Sequence, residues 1–125
     1  MTPSAELERL RVRVSPASET RAIIQAVADD CGVSVADIMS DNRAYWVSHP
    51  RHEAMYEVFV QRPKLSYPEI GRLFCRDHTS VLHGVRAHCA RIGLRYQDVM
   101  MMRKRTYWLR AETFNAYAEV MKRAA

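Results

Sequence analysis

Two short helical segments separated by a tight turn constrain the fold of this chain more than any other feature. Ser66-Tyr-Pro-Glu69 has the Ser-x-x-acid spacing of a capping box, which predicts a helix that begins there and stops near Cys75. Residues 76–78 are the predicted turn, and a second helix is predicted to run to about Arg91, after which Gly93 breaks it. Two short helices joined in this way are the plan of a helix-turn-helix. The inner face of the second helix is predicted to comprise Val81, Leu82, Val85 and Cys89.

Helical signals also dominate the sequence upstream of this unit. Pro16, directly after Ser15, predicts the start of a helix, and Gly32 predicts its end in a left-handed conformation. A second capping box, Ser34-Val-Ala-Asp37, predicts a short helix that runs to about Met39.

The segment 41–48 shows no helical face and is predicted to be a loop, in which Tyr45 and Trp46 are expected to be loop anchors, with base-stacking groups as the alternative. Pro50 is predicted to start the next helix, because proline suits the first helical turn, and Pro63 is predicted to end it. The inner stripe of that helix is predicted to be Ala54, Met55, Val58 and Phe59.

Together these segments predict an all-α protein. Glycine occurs only four times in 125 residues, and no alternation of apolar and polar residues lasts long enough for a strand. We expect an N-terminal arm over residues 1–14 and a helix-turn-helix domain of five to six helices over residues 15–93. Residues 94–125 are predicted to form a C-terminal helical extension.

The charge of the chain favours a polyanionic partner. Hydrophobic residues make up 48% of the chain and charged residues 26%, as in globular proteins, and the net charge is +5 at pH 7. Such a charge suits nucleic acid or an anionic membrane surface. No apolar run approaches the roughly 18 residues that cross a bilayer, and the N-terminus lacks the basic start and apolar stretch of a secretory signal. We therefore expect a cytoplasmic protein that does not use a membrane.

The cysteines and histidines do not predict a metal site or a nucleophile. The three cysteines are an odd number without a CxxC spacing, which predicts small buried side chains rather than disulfides. His78, His83 and His88 recur every five residues, so they lie about 140° apart around a helix and do not converge on one ion. The local helical geometry also places no cysteine beside an oriented histidine. We expect no metal, no cofactor and no catalysis.

The helix-turn-helix resembles one known family closely. Pro68-Glu-Ile-Gly71 is followed by Phe74 and by the run Arg76-Asp-His-Thr-Ser-Val-Leu-His83. The C-terminal DNA-binding domain of the bacterial replication initiator DnaA carries the matching pattern "PEIG..F" and then "RDHTTVLH". Ser80 stands in place of the second threonine of that pattern. The resemblance covers roughly residues 18–92.

The resemblance implies double-stranded DNA as the partner and two recognition elements. An α-helix fits the major groove, and the residues at its N-terminus point toward base edges, while an arginine of the family's basic loop enters the adjacent minor groove. The base-contacting positions of the family match Arg43, Asp77, His78 and Thr79. Its backbone-contacting positions match Arg51, His52, Tyr67 and Pro68, and the anion-attracting start of the recognition helix adds Arg76, Ser80 and His83.

The chain departs from the family at three points. It has no GxxxxGK[ST] phosphate loop, so no nucleotide binding is expected. The segment 41–46 holds one basic residue, Arg43, where the family usually has several, which predicts weaker binding with a flatter salt dependence. The turn has Cys75 alone where the family usually has two glycines, so we expect a shifted recognition-helix angle. Eight basic residues against two acidic ones between Arg76 and Arg110 supply a compensating positive block.

We therefore expect a nucleoid-associated, sequence-specific DNA-binding protein that regulates replication initiation or transcription. Asp77 has a simpler alternative role as the N-cap of its helix. The alternative function is a protein-interaction module on the same fold, with residues 99–117 as the candidate face for a protein partner or self-association. That module requires an exposed apolar face over residues 99–117, whereas DNA recognition requires exposed side chains at residues 77–79.

Overall fold

Six α-helices make up the part of the chain that the structure describes, which is residues 16–110 of a computed structural model, and this range contains no strand. The predicted all-α class is confirmed. The predicted N-terminal arm, the cap at Ser15 and the extension beyond residue 110 lie outside the described residues. The helices are α1 (Pro16–Cys31), α2 (Val35–Met39), α3 (Tyr45–Gln61), α4 (Tyr67–Leu73), α5 (His78–Arg91) and α6 (Tyr96–Arg110). None of the described helices is long and apolar enough to cross a membrane.

Local sequence signals set most of the helix ends. Both predicted capping boxes are formed: at α2 the Ser34 hydroxyl accepts from the Asp37 N–H, and the Asp37 carboxylate accepts from the Ser34 N–H. The corresponding pair does the same at α4. Gly32 and Gly93 follow α1 and α5 with φ angles of +70° and +74°, a left-handed backbone that glycine adopts without steric cost. Helix α3 ends two residues before Pro63, as predicted.

Helix α3 is the centre of the packing and contacts each of the other five described helices. Burying a large apolar side chain contributes about 1.5–3 kcal/mol relative to leaving it exposed, so the shared core fixes α4 and α5 on α3. The inner stripe predicted for α3 is confirmed, and in α5 only Leu82 is half-buried rather than buried. The fully buried side chains at the centre of this core are Ile38, Val47, Ala54, Val58, Phe59, Ile70, Phe74, Val81 and Val85.

Helix α3 begins earlier than the sequence predicted. Residues 45–48 form its first turn, so the predicted loop ends at Ala44, and Pro50 lies inside the helix instead of starting it. The Asn42 side chain accepts from the Ala44 N–H, and the Ala44 carbonyl then accepts from the Val47 N–H at 3.0 Å. Proline removes one hydrogen bond of the helix. Burial of Val47 and Pro50 against the core offsets that loss.

Tyr45 and Trp46 are not the loop anchors that the sequence predicted. They lie on the outer side of the first turn of α3, with 73% and 51% of their surfaces exposed. The ring of Tyr45 makes an edge contact with His49, at 6.0 Å between centroids. The earlier start of α3 explains the difference, because a helical backbone directs these two side chains away from the core that Val47 faces.

The turn between α4 and α5 comprises residues 74–77, so it begins two residues earlier and ends one residue earlier than predicted. His78 is the first residue of α5, because the Asp77 carboxylate caps the helix by accepting from the Ser80 N–H at 2.8 Å. The N-cap role of Asp77 is therefore confirmed. Cys75 has a φ angle of +54°, in the left-handed region that favours glycine.

The first half of α6 packs on the same core as the helix-turn-helix. Val99 is buried, and the hydroxyl of Tyr96 is hydrogen-bonded to that of Tyr67 at the start of α4. The Arg103 guanidinium lies 4.2 Å from the centroid of the Phe59 ring, and its Nε donates to the Phe59 carbonyl at 2.8 Å. These contacts tie α6 to α3 and α4.

Candidate nucleic-acid interface

An open cleft separates the start of α3 from the start of α5. The loop before α3 forms one wall, and the turn and first residues of α5 form the other. The cleft brings together seven residues for which the sequence predicted a DNA contact: Arg43, Arg51, His52, Arg76, Thr79, Ser80 and His83. Four others, Asp77, His78, Tyr67 and Pro68, do not line it.

The N-terminal face of α5 is open to solvent beside this cleft. Asp77, His78 and Thr79 are all exposed. The Thr79 hydroxyl and the Ser80 N–H both donate to Asp77 Oδ1, each at 2.8 Å, and these bonds lower the pKa of Asp77 from 3.8 to about 2. Asp77 is therefore an ionised acceptor at neutral pH. The His78 and Thr79 side chains extend the face with a ring and a methyl group.

The two walls of the cleft are joined through one carbonyl. The Ser40 carbonyl accepts from Nη2 of Arg51 at 2.7 Å and from Nη2 of Arg76, which belongs to the turn before α5. Arg43 lies three residues after Ser40 on the exposed loop. The position of the Arg43 loop relative to α5 is therefore set by hydrogen bonds from both arginines to a single backbone group.

Arg51 occupies a largely internal position. Only 5% of its surface is exposed, and besides Ser40 its guanidinium donates to the carbonyls of Ile38, at 2.7 Å, and Asp37. Burial, and then the charge of Arg76, lower the pKa of Arg51. These contacts stabilise the connection between α2 and α3. The phosphate contact expected of Arg51 stays a prediction.

His52 has a neutral ring held in one orientation. Nη2 of Arg91 lies 2.9 Å from His52 Nδ1, and the His83 ring packs edge-on at 5.8 Å between centroids. Burial first, and then the charge of Arg91, lower the pKa of His52 from 6.5 to about 4. Because an arginine can only donate, Nδ1 accepts and the ring proton lies on Nε2. Nε2 is then a neutral donor suited to a phosphate oxygen.

Tyr67 and Pro68 lie at the start of α4, outside the cleft. Tyr67 is half-buried, with its ring 5.0 Å from that of Phe59, and its hydroxyl is hydrogen-bonded to Tyr96. Burial, and then that hydrogen bond, raise the pKa of the Tyr67 hydroxyl. Pro68 is exposed. The Tyr67 hydroxyl thus contributes to the packing of α6, and DNA contacts by these two residues stay predictions.

Three residues that line the cleft were not predicted from the sequence to do so. Ser48 and Met55 line the cleft from the face of α3 that also carries His52, and Asp41 lines it from the loop. Ser48 lies four residues before His52, so helical spacing would have indicated it if residues 45–48 had been recognised as helix. Asp41 places a negative charge near the predicted phosphate contacts, which opposes the positive charge of Arg43.

Comparison with known proteins identifies a family for this chain. The family described as "Bacterial dnaA protein helix-turn-helix" matches residues 20–87, more than half of the chain. The match begins in α1 and ends within α5, so it contains the whole cleft. No solved structure gives a significant match to the chain.

Similar curated proteins are chromosomal replication initiator proteins DnaA. The chain is 42% identical over 87 residues to that of Bartonella quintana (strain Toulouse) and 39% identical over 87 residues to that of Brucella abortus biovar 1 (strain 9-941). Each alignment covers 69% of this chain and 16% of the relative, so the chain spans only a small part of their length. The initiator of Herminiimonas arsenicoxydans is 44% identical over 72 residues, which are 57% of this chain and 15% of that protein. The chain belongs to the bacterial DnaA helix-turn-helix family.

Proposed function

We propose that this protein binds double-stranded DNA sequence-specifically, with α5 in the major groove and the Arg43 loop in the adjacent minor groove. The observation that carries the proposal is the exposed face of Asp77, His78 and Thr79 beside the cleft. An α-helix fits the major groove, and the residues at its N-terminus meet the base edges first. The family to which the chain belongs supports the same docking.

The chemistry of the exposed face suits the recognition of bases. The ionised Asp77 can accept from the amino group of cytosine, and Thr79 offers a hydroxyl group and a methyl group that suits thymine. His78 can donate or accept a hydrogen bond or pack on a thymine methyl. Arg43, on the opposite wall, would add recognition of minor-groove width and potential, for which arginine is suited.

Contacts to the phosphate backbone of the DNA would come from residues that line the cleft. Arg76, Ser80, His83 and the Nε2 donor of His52 line it together, at the end of α5 where free N–H groups and the helix dipole favour phosphate. Such contacts fix the register of the protein on DNA without selecting sequence. Because Asp41 lies in the same cleft and the loop carries one arginine, we expect fewer released counterions and a shallow salt dependence.

The proposed biological role is competition with replication initiators for their DNA sites. The relatives are named as chromosomal replication initiators, and this chain corresponds to about 16% of their length. A DNA-binding unit that recognises similar sites would regulate replication initiation, or transcription, by occupying them at the nucleoid. We assign no catalytic step to the described domain, since binding alone accounts for its exposed groups.

The alternative, a protein-interaction module, also has an observation in its favour. In the described part of the face that this alternative requires, Met100, Met101 and Tyr107 are 39%, 58% and 41% exposed, whereas Val99 is buried. These residues belong to a different surface from the cleft. DNA binding at the cleft and an interaction at α6 are therefore compatible.

Selection of bound duplexes from a random DNA pool, at about physiological salt, tests the proposal. We expect enrichment of one motif. Recovery of the pool without enrichment would leave charge-driven binding alone and would favour the interaction module.

A further inference from the structure

Tyr45 is the most exposed of the large apolar and aromatic side chains in the described part of the chain, at 73%. Among the described residues, its ring makes an edge contact with His49, and its hydroxyl makes no hydrogen bond. Tyrosine is enriched at interfaces because it combines an apolar ring with a polar hydroxyl group. The position of Tyr45 relative to the cleft indicates which partner it meets.

Tyr45 extends the face of α3 that borders the cleft. Ser48 and His52 line the cleft from that face. Tyr45 precedes His52 by seven residues, so at 100° per residue the two side chains lie within about 20° of one another around the helix axis. Tyr45 is therefore on the same face, at the end of α3 that adjoins Arg43. Trp46 lies about 120° from His52 around the axis and does not share this face.

Tyr45 also lies close to Arg43 along the chain. The two residues are two positions apart, so their Cα atoms are separated by no more than about 7 Å. The minor groove of DNA is about 6 Å wide. With Arg43 in the minor groove, Tyr45 therefore reaches the sugar-phosphate strand that borders the groove. Arg43 is the only basic residue of the segment 41–46, so this segment offers that strand no second cation.

The charge of the neighbouring cleft favours DNA over a protein as the partner of Tyr45. Three arginines and one carboxylate line the cleft, namely Arg43, Arg51, Arg76 and Asp41. A predominantly positive lining attracts a polyanion. Because the face of Tyr45 is continuous with this lining, a duplex seated in the cleft would also cover Tyr45.

We propose that Tyr45 contacts the strand beside the minor groove, with its ring packed on a deoxyribose and its hydroxyl donating to the adjacent phosphate. This contact rests on the proposed entry of Arg43 into the minor groove. Tyrosine is among the side chains that donate to phosphate oxygens, and the exposed ring surface would be removed from water. The contact is not ionic, so it releases no counterion. Tyr45 therefore adds affinity that does not depend on salt, beside a loop that is poor in cations.

Titrations of the full chain with two duplexes of equal length test the contact. One duplex carries the sequence recovered most often in the selection, and the other is unrelated. Because a contact to the DNA backbone does not select sequence, we expect Tyr45→Ala to raise the Kd about tenfold on both duplexes. We expect a smaller rise for Tyr45→Phe, which keeps the ring. Wild-type affinity in Tyr45→Ala would overturn the proposal.

The phenylalanine variant tests the two halves of the contact separately. A Kd of Tyr45→Phe equal to that of wild type would overturn the hydrogen bond to phosphate. A Kd equal to that of Tyr45→Ala would overturn the packing of the ring on deoxyribose.

Trp46→Ala is the matched control. Trp46 is also an exposed aromatic residue of the first turn of α3, but it lies on a different face. We expect its removal to leave the Kd near that of wild type. Circular dichroism of the three variants verifies that they are folded. Equal weakening by Trp46→Ala and Tyr45→Ala would contradict the assignment of the face.

The salt dependence of the Kd tests whether the contact is ionic. On a plot of log Kd against log salt concentration, we expect Tyr45→Ala to run parallel to wild type. Arg43→Ala should instead reduce the slope by about one, because it removes a cation. A reduced slope in Tyr45→Ala would contradict a contact that releases no counterion.

The two duplexes also distinguish a failure of this contact from a failure of the proposed function. Equal affinity of wild type for both would refute sequence-specific binding, while a loss in Tyr45→Ala would still support the contact. A wild-type preference for the selected duplex, together with full affinity in Tyr45→Ala, would refute the contact alone. Absence of wild-type binding to either duplex would overturn both.

Discussion

Gly71 and Arg76 meet across the turn of the helix-turn-helix with no room for a side chain between them. A Cβ atom on Gly71 would lie 2.5 Å from the Arg76 carbonyl oxygen, and the Arg76 N–H donates to the Gly71 carbonyl at 2.8 Å. Both groups are backbone, so neither can turn aside. The close approach sets the angle between α4 and α5 and thereby the position of the exposed residues 77–79.

Gly71→Ala is expected to lower the free energy of unfolding by about 1–3 kcal/mol, because the new methyl group forces the turn apart. Denaturant unfolding measures the loss. Gly84→Ala is the control, since there the nearest atom to a new Cβ is the movable Met55 sulfur at 2.6 Å, so we expect a smaller loss. Equal losses in the two variants would contradict the special role of the turn.

Cys75→Gly is expected to stabilise the protein by about 0.5–1 kcal/mol. The left-handed backbone of Cys75 costs about 1–2 kcal/mol in the folded state, and glycine relieves that strain. Part of the gain is lost because glycine also gives the unfolded chain more conformational freedom. Thermal unfolding measures the gain. Cys75→Ser keeps the backbone strain and should leave the melting temperature close to that of wild type. A stabilisation by serine equal to that by glycine would point to the thiol instead.

Arg51→Met and Arg43→Ala should separate stability from DNA binding. Removing Arg51 leaves the buried Ile38 carbonyl without its donor and takes one of the donors from the carbonyls of Asp37 and Ser40, which we expect to cost about 1–3 kcal/mol of unfolding free energy. Arg43 is exposed, so its removal should change stability by less than about 0.5 kcal/mol while weakening DNA binding. Unfolding curves and duplex titrations of both variants provide the check. A stable Arg51→Met protein would refute the structural role of that arginine.

The stability of the fold should fall as the pH drops from 6.5 toward 4. The His52 pKa is about 4 in the folded protein and near 6.5 in the unfolded chain, so the unfolded chain binds the proton first within this window. Stability is therefore full above pH 6.5. After discounting for solvent screening at this partly exposed ring, we expect a loss of about 1 kcal/mol. His52→Gln should flatten the profile, and His78→Gln should not. An unchanged slope in His52→Gln would contradict this account.

Much of the fold could be predicted because its signals are local. The capping boxes at Ser34 and Ser66 and the glycines after α1 and α5 act within a few residues, so the sequence alone places those helix ends. The start of α3 was missed because no side chain caps it: the N-cap residue is Ala44, whose N–H donates to the Asn42 side chain two residues earlier. Val47, in the first turn, is held by tertiary packing, which no local pattern marks. Pro50 predicted the wrong helix start, because proline favours the first helical turn, whereas here Pro50 is buried inside α3.

In the candidate site, too, contiguous patterns could be predicted from the sequence, whereas contacts between distant segments could not. The residues of the α5 start, Asp77 to Thr79, form a contiguous pattern, and the structure places all three in solvent beside the cleft. The contacts of Arg51 could not be predicted, because its three acceptors are backbone carbonyls of another segment. The pairing of His52 with Arg91 likewise joins residues 39 positions apart, and no local pattern marks it.

Base preference in wild type, Arg43→Ala and His78→Ala, measured by selection from one random duplex pool, tests the central claim most directly. We predict that wild type enriches one motif and that each variant loses preference at its own position, with a cost of about 1–3 kcal/mol there. Arg21→Ala, on α1, which does not contact α5, should keep the full motif. Equal weakening of the two variants on every sequence would contradict recognition through two grooves.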